Sequence, residues 1–179
     1  MTLTVRTATA EDADALASLA ERAFRTTYAG LVDDATVEAV VAQTCTSAAF
    51  ARLATRGEPD RLLVAEDGDE LRGFLDFADE PDGFELRRLY ARAGQTGRGV
   101  GSALLAALED GLPPGTRYRI VVVDQNVRGL AFWQRHGFRP QGEVDGVSHF
   151  AAHRGVTFQP GTGSARLLVL HRRTGEAVV

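Results

Sequence analysis

A glycine-dense turn between an alternating strand and an amphipathic helix constrains this chain most. Residues 95–105 read Gln-Thr-Gly-Arg-Gly-Val-Gly-Ser-Ala-Leu-Leu, and the alternating stretch 84–90 precedes them. Alternate glycines remove Cβ atoms from one side of the turn and permit positive φ angles. Several N–H groups can then point into one concavity, at the positive end of a helix. The turn therefore predicts a site for a phosphate or pyrophosphate, and with it a phosphorylated cofactor.

The absence of lysine excludes two functional classes. All 20 basic residues are arginine, in a chain of 179 residues. A Walker A loop needs a lysine beside the phosphates, and a Schiff-base enzyme needs a lysine amine, so we expect neither. The length suits one domain, residues 1–179, with a core of its own. The formal net charge of −4 argues against nucleic acid as a partner and agrees with a cationic substrate such as an amine.

The sequence gives no indication of metal, disulfide or membrane chemistry. Cys45 is the single cysteine, and we interpret it as a small buried apolar residue. His149 and His153 are four residues apart without a third ligand, so we interpret them as solvated or as lining a substrate pocket. No apolar run reaches the ~18 residues of a membrane span, and no signal peptide is recognisable. We therefore expect a cytoplasmic protein.

The pattern of strands and helices predicts a single α/β domain. Apolar periodicity indicates helices that begin near residues 9–11, 33–34, 47, 100 and 126, and strands near residues 3–8, 62–65, 71–77, 84–91, 118–123, 138 and 167–170. The strands at 84–91 and 118–123 flank one helix, so we expect them to be parallel with a right-handed crossover. Ligands bind beyond the carboxyl ends of such strands. Residues 142–164 are glycine-rich and carry no clear assignment.

A second pattern follows on the next strand–helix unit. Residues 126–138 read Asn-Val-Arg-Gly-Leu-Ala-Phe-Trp-Gln-Arg-His-Gly-Phe. Together with Leu89-Tyr90 and the turn at 97–105, this makes the chain resemble the GNAT superfamily of acyl-CoA-dependent N-acetyltransferases. The resemblance implies a mixed, mostly antiparallel sheet of six or seven strands with helices on both faces. Its two central parallel strands, near 86–91 and 118–123, would splay to admit a pantetheine arm.

The resemblance implies acetyl-CoA as co-substrate and no metal. In the family the turn follows the consensus Gln/Arg-x-x-Gly-x-Gly/Ala, and Thr96 stands here where Gln or Arg is usual. N–H groups of the turn would hold the pyrophosphate, while the preceding strand would hold the pantetheine and polarise the thioester carbonyl. The residues implied are Thr96, Gly97, Arg98, Gly99, Val100, Gly101 and Ser102 for the pyrophosphate, and Leu89, Tyr90 and Ala91 for the pantetheine.

Glu85 is the candidate catalytic base. It lies at the position of the catalytic glutamate in the histone-acetylating branch of the family. An alkyl ammonium with a pKa of ~10 must lose a proton before it attacks, which costs about 4 kcal/mol at neutral pH. A carboxylate can take this proton directly or through water. The alternative is an ion pair with Arg87, which shares its strand face by a period of two, and a tightly paired Glu85 would be a poor base.

Three further residues have both a structural and a functional interpretation. Asn126 is either a plain helix N-cap or a cofactor contact, as the matching asparagine is in the family. Trp133 replaces the family's usual tyrosine, whose phenol protonates the departing thiolate; an indole is not such an acid and would instead pack on the cofactor arm. Tyr28, in the break between the first two helices, either lines the acceptor pocket or fills the core.

We therefore expect direct transfer of an acetyl group from acetyl-CoA to a primary amine, of a small molecule or a peptide, in a ternary complex. The alternative is a GNAT-like domain that binds acyl-CoA without turning it over. We expect no nucleic-acid or membrane partner, and the resemblance leaves a homodimer open. The acceptor stays unidentified because variable loops, here 26–32 and 142–164, form its pocket.

Overall fold

The computed structural model describes residues 2–95, 97–159 and 162–176. It is an α/β fold in which one sheet carries helices on both faces. The described residues form seven strands: β1 (Thr4–Thr7), β2 (Arg61–Asp67), β3 (Glu70–Glu80), β4 (Gly83–Ala91), β5 (Arg117–Val123), β6 (Arg139–Asp145) and β7 (Arg166–Arg173). Six α-helices lie within the same ranges: α1 (Ala13–Tyr28), α2 (Asp34–Thr44), α3 (Ser47–Ala54), α4 (Val100–Asp110), α5 (Val127–Arg135) and α6 (Gly146–Arg154). A short 3-10 helix (Ala10–Asp12) precedes α1.

The sheet is antiparallel except at its centre, as predicted. The strands lie in the order β1-β2-β3-β4-β5-β7-β6, and only β4 and β5 are parallel neighbours among the described strands. Helix α4 connects these two, which makes the predicted strand–helix–strand unit. The two strands pair only through Phe84 with Tyr118 and Glu85 with Arg119. Beyond these pairs the strands part, so a gap opens between residues 86–91 and 120–123, in agreement with the predicted splay.

The two faces of the sheet bury separate apolar clusters. Helices α1, α2 and α3 cover one face, around Leu16, Phe50 and Phe74, which are all fully buried. Helix α4 covers the other face with Leu104 and Leu108, and α5 joins it there. Cys45 is free and buried in the first cluster, as the sequence indicated. Within the described residues, no helix is long and apolar enough to cross a membrane.

Helix α6 is the element that the sequence analysis missed. The sequence of residues 142–164 carries no clear assignment, but 146–154 form a helix. Asp145 caps its first turn, since its carboxylate accepts a hydrogen bond of 2.8 Å from the N–H of Ser148, and Gly155 ends it with a φ of 63°. The helix lies over the same face of the sheet as α1 and α2. It places His149 and His153 on one side, with ring centroids 4.7 Å apart.

Candidate active site

The glycine turn folds as predicted, into the start of a helix. Gly97 and Gly99 have φ angles of 79° and 82°, in the region that favours glycine, and Gly99 is the N-cap of α4. The N–H of Ala103 donates to the carbonyl of Gly99 at 2.9 Å. The N–H groups of residues 100–102 precede that bond, in the first turn of α4. The helix itself supplies no hydrogen-bond acceptor for N–H groups at this position. Thr96, which we also placed in this site, lies outside the described residues.

Gly101 is required for a close approach rather than for its φ angle. A Cβ atom there would lie 3.1 Å from the Phe132 ring and 3.2 Å from the Leu89 side chain. The glycine therefore lets α4 approach α5 and β4 at the mouth of the gap between the strands. Next to it, the hydroxyl of Ser102 lies 2.9 Å from Nε2 of His136, at the end of α5. The two helices are thus fixed to each other beside the turn.

Asn126 and Trp133 occupy structural positions on α5. The side-chain oxygen of Asn126 accepts a hydrogen bond of 3.0 Å from the N–H of Gly129, so the N-cap interpretation is confirmed. Trp133 is buried, with its ring centroid 4.9 Å from those of Phe132 and Phe138. Cofactor contacts of these two side chains stay predictions.

A cavity lies where the two central strands part, on the face covered by α1, α2 and α6. It is lined by Phe24, Tyr28, Val40, Thr44, Arg87, Arg88, Tyr90, Val121, Val123, His149, Phe150, Arg154 and Leu167. Tyr28 therefore lines a cavity beside the strand gap. Burial raises the pKa of the Tyr28 phenol and that of the Tyr90 phenol, so both keep their protons at neutral pH. A second, mostly apolar cavity shares Phe24, Tyr28, Val123, Phe150 and Leu167 with the first.

Glu85 lies beneath this cavity, fully buried among cationic side chains. Arg119 donates to one carboxylate oxygen, with Nη2 at 2.9 Å, and Arg154 binds the other. Nε2 of His149 lies 3.4 Å from Oε1 of Glu85. Burial alone would raise the pKa of the Glu85 carboxyl, but the contact with His149 and the charge of Arg154 outweigh it and hold that pKa well below its ordinary value. This environment is unfavourable for a direct proton acceptor.

The ion pair between Glu85 and Arg87, which the sequence offered as the alternative to a catalytic base, is not formed. Arg87 binds Glu80 instead. The register between β3 and β4 explains the difference, because Phe77 pairs with Leu86 while Asp76 pairs with Arg88, which leaves Arg87 as the extra residue of a bulge. A bulge breaks the period of two on which the predicted pair rested and re-aims the side chain.

The buried charge of Glu85 predicts an acid-dependent stability. We expect Glu85→Gln to lower the free energy of unfolding by about 2 kcal/mol at pH 7, because Arg119 and Arg154 lose a charged acceptor. An unfolded glutamate takes up its proton near pH ~4.3, whereas the folded carboxylate stays ionised to lower pH. The stabilisation by Glu85 is therefore complete above this pH and lost below it. Urea unfolding of both proteins between pH 7 and pH 3 should show the difference shrinking.

The exposed Glu58, which pairs with Arg61, supplies the control. Its substitution Glu58→Gln should change the free energy of unfolding by less than ~1 kcal/mol. A difference between wild type and Glu85→Gln that stays constant over the whole pH range would contradict the buried ion cluster.

Comparison with known proteins identifies the family. The sequence model of the acetyltransferase (GNAT) family matches residues 16–138, more than half of the chain. The chain belongs to this family. It is therefore an acetyl-CoA-dependent acyltransferase, and the resemblance on the glycine turn and the 126–138 pattern is confirmed.

Three relatives of the chain match over 82% or more of its length. It is 25% identical to a spermidine N(1)-acetyltransferase of Thermoplasma acidophilum, over 82% of this chain and 93% of that protein. The PaiA N-acetyltransferase of Thermoplasma acidophilum, solved in complex with coenzyme A, has a similar fold, with a TM-score of 0.73, 21% identity and coverage of 97% and 99% of the two chains. YncA of Salmonella typhimurium, solved with acetyl-CoA, has a TM-score of 0.62 and 20% identity to this chain. The match covers 100% of this chain and 98% of YncA. These structures share the fold.

The described residues contain no cluster of three or more His, Cys, Asp and Glu that could hold a metal ion. From the sequence, His149 and His153 are interpreted as solvated or as lining a substrate pocket. Both face carboxylates: His149, which lines the cavity, contacts Glu85, and Nδ1 of His153 lies 3.4 Å from Glu80. His149 is the functional candidate that the sequence analysis undervalued. The signal was present in the N-cap Asp145 and the terminating Gly155, which together mark 146–154 as a helix.

Proposed function

We propose that this acetyltransferase moves the acetyl group of acetyl-CoA directly to a primary amine in a ternary complex. The observation that carries the proposal is the gap between β4 and β5. The strand β4 leads into the glycine turn beyond this gap, while the cavity with His149 lies on one face of the same gap. Cofactor and acceptor can therefore approach one another between the strands, so that no covalent enzyme intermediate is needed.

The glycine turn would hold the cofactor's pyrophosphate. Residues 97–102 lie at the N-terminus of α4, where backbone N–H groups can bind an anion. The turn has open space for it, because a Cβ atom built at Gly97 or Gly99 would meet nothing within 4 Å. The N–H of Arg98 is already bonded to the carbonyl of Gln95 at 3.1 Å, so Arg98 would contribute its exposed guanidinium. The main chain of Leu89, Tyr90 and Ala91 would hold the pantetheine, because this stretch of β4 has no pairing with β5.

His149 would take the amine proton, with Glu85 as its positioning residue. Glu85 faces Nε2 of His149, so an N–H at Nε2 would leave the lone pair at Nδ1 to accept a proton. The neutral amine would attack the thioester carbon, the C–N bond would form as the C–S bond breaks, and the electron pair would leave with sulfur. The second proton of the nitrogen would pass to the leaving thiolate or to water. Trp133 offers no acidic proton, but a thiol with a pKa of ~8–9 leaves as thiolate or takes a proton from water.

The first experiment separates transfer from binding alone. Acetyl-CoA at about 100 times its Kd should add about 2.7 kcal/mol to the free energy of unfolding, measured as a thermal shift. The purified protein should release free thiol from acetyl-CoA in the presence of an amine acceptor, and mass spectrometry should find the amine heavier by one acetyl group. Tight binding with no thiol release over a broad panel of amines would leave the binding-module alternative, and no thermal shift would contradict the cofactor site.

A further inference from the structure

The wall of the cavity presents cationic groups and no carboxylate. Three arginines line it, Arg87 and Arg88 on β4 and Arg154 on α6, together with His149. None of the aspartates or glutamates among the described residues belongs to this lining. The side chains of fixed charge that line the cavity are therefore all arginines, although the whole chain has a formal net charge of −4.

The carboxylates that balance these arginines lie behind them. Asp76 holds Arg88, Glu80 holds Arg87, and Glu85 holds Arg154. The side chains of these three carboxylates are 2%, 5% and 0% exposed, against 11%, 13% and 9% for their arginine partners. A ligand in the cavity thus meets the guanidinium groups first. This order suits an anionic ligand group, because a guanidinium binds a carboxylate through several parallel donors.

Of the two arginines on β4, Arg87 is better placed to bind a ligand. Arg88 uses all three of its nitrogens, two on Asp76 and Nη1 on the carbonyl of Thr44 at 3.1 Å. Arg87 binds Glu80 through Nε and Nη2, and its Nη1 has no hydrogen-bond acceptor in the part of the chain that the structure describes. The bulge in β4 turns Arg87 out of the regular alternation, into the cavity.

We infer that the acceptor is an amine that also carries an anionic group, with an α-amino acid bearing an apolar side chain as the type compound. This rests on the proposed acetyl transfer. Arg87 binds the carboxylate, and the apolar cavity beside Phe24, Val32 and Phe150 receives the side chain. The arginines of the cavity lining favour the neutral form of the amine over its ammonium form. They also disfavour binding of a polyamine, which carries several positive charges and no anionic group. The acceptor class therefore differs from that in the name of the spermidine-acetylating relative.

The test compares amines that differ only at the carboxylate. Leucine, phenylalanine and methionine are each compared with the corresponding amide and the corresponding decarboxylated amine, and spermidine is added. Thiol release from acetyl-CoA gives kcat/KM for each. We expect the amino acids to exceed their amides and amines by at least about tenfold, and spermidine to be the poorest acceptor. Equal values within each set, or a preference for spermidine, would overturn the inference while leaving acetyl transfer intact.

A variant assigns the preference to Arg87. Arg87→Gln should raise KM for the amino acids about tenfold or more, with little change in kcat and little change in KM for the decarboxylated amines. The control is Arg56→Gln, which removes an arginine that pairs with Asp60 on the surface between α3 and β2. An unchanged KM for the amino acids in folded Arg87→Gln would overturn the role of Arg87. Binding of CoA without thiol release for any of these compounds would instead contradict the proposed transfer itself.

Discussion

Gly99→Glu should abolish coenzyme A binding while the protein remains folded. Gly99 is the N-cap of α4 and has a φ of 82°, so a side chain there costs about 1–2 kcal/mol in backbone strain. The larger effect is electrostatic. A carboxylate about 4 Å from a phosphate opposes binding by about 4 kcal/mol at an effective dielectric constant of 20, which corresponds to a loss of affinity of about a thousandfold. Isothermal titration with coenzyme A measures this loss directly.

Gly115→Glu is the matched control for this substitution. Gly115 has a φ of 80°, and a Cβ there meets nothing within 4 Å, as at Gly99. It lies in the connection between α4 and β5, after the opposite end of the same helix. The control therefore reproduces the backbone strain and the added charge without placing the charge at the helix N-terminus. Equal affinities of the two variants would refute the glycine turn as the pyrophosphate site.

The shape of the proposed cofactor site was predictable because it depends on local rules. Spaced glycines determine the shape of the turn at 97–101, and apolar periodicity determines that Val100, Leu104 and Leu108 pack against the sheet, where all three are buried. The two parallel strands follow from the connection through a single helix. These are short-range relations, and they lie within one continuous segment of the chain.

The proposed acceptor site was not predictable in the same way, since it depends on contacts between distant segments. Glu85 binds Arg119 and Arg154, which follow it by 34 and 69 residues. Their meeting requires both the pairing of β4 with β5 and the position of α6, and α6 has a weak apolar pattern with only Gly146 and His149 buried. The bulge at Arg87 likewise leaves no trace in the alternation of the strand. The set of charged residues that line the cavity could therefore not be predicted without the three-dimensional fold.

The burial of Glu85 changes what its position can contribute to catalysis. The family resemblance implies a catalytic base at Glu85, but this side chain is fully buried and cannot contact an amine directly. It can still act on a neighbour, because a buried carboxylate that contacts an imidazole fixes the ring and its tautomer. His149 is that neighbour and also lines the cavity, so it connects the buried charge to the space in which an acceptor would bind.

His149→Ala should lower kcat by about 10²- to 10⁴-fold, the usual contribution of a positioned general base, and leave the affinity for coenzyme A unchanged. Added imidazole should restore part of the turnover, since the substitution leaves space for it beside Glu85. A purely structural histidine would show no such rescue. His153→Ala is the control, because it removes the other histidine of α6, whose ring stacks on that of His149, and it should retain nearly full turnover. Steady-state thiol release with and without imidazole makes the comparison.

A double variant decides between His149 and Glu85 as the proton acceptor. If Glu85 acts only by positioning His149, then Glu85→Gln combined with His149→Ala should be no slower than His149→Ala alone, because residues that act as a unit are not additive. The alternative, in which Glu85 takes the proton through water, predicts a large loss for Glu85→Gln and nearly full turnover for His149→Ala. Rates must be compared at equal folded fraction, since Glu85→Gln also removes the charge that Arg119 and Arg154 share. Turnover near wild type in His149→Ala would assign its imidazole to packing against Phe150 and His153.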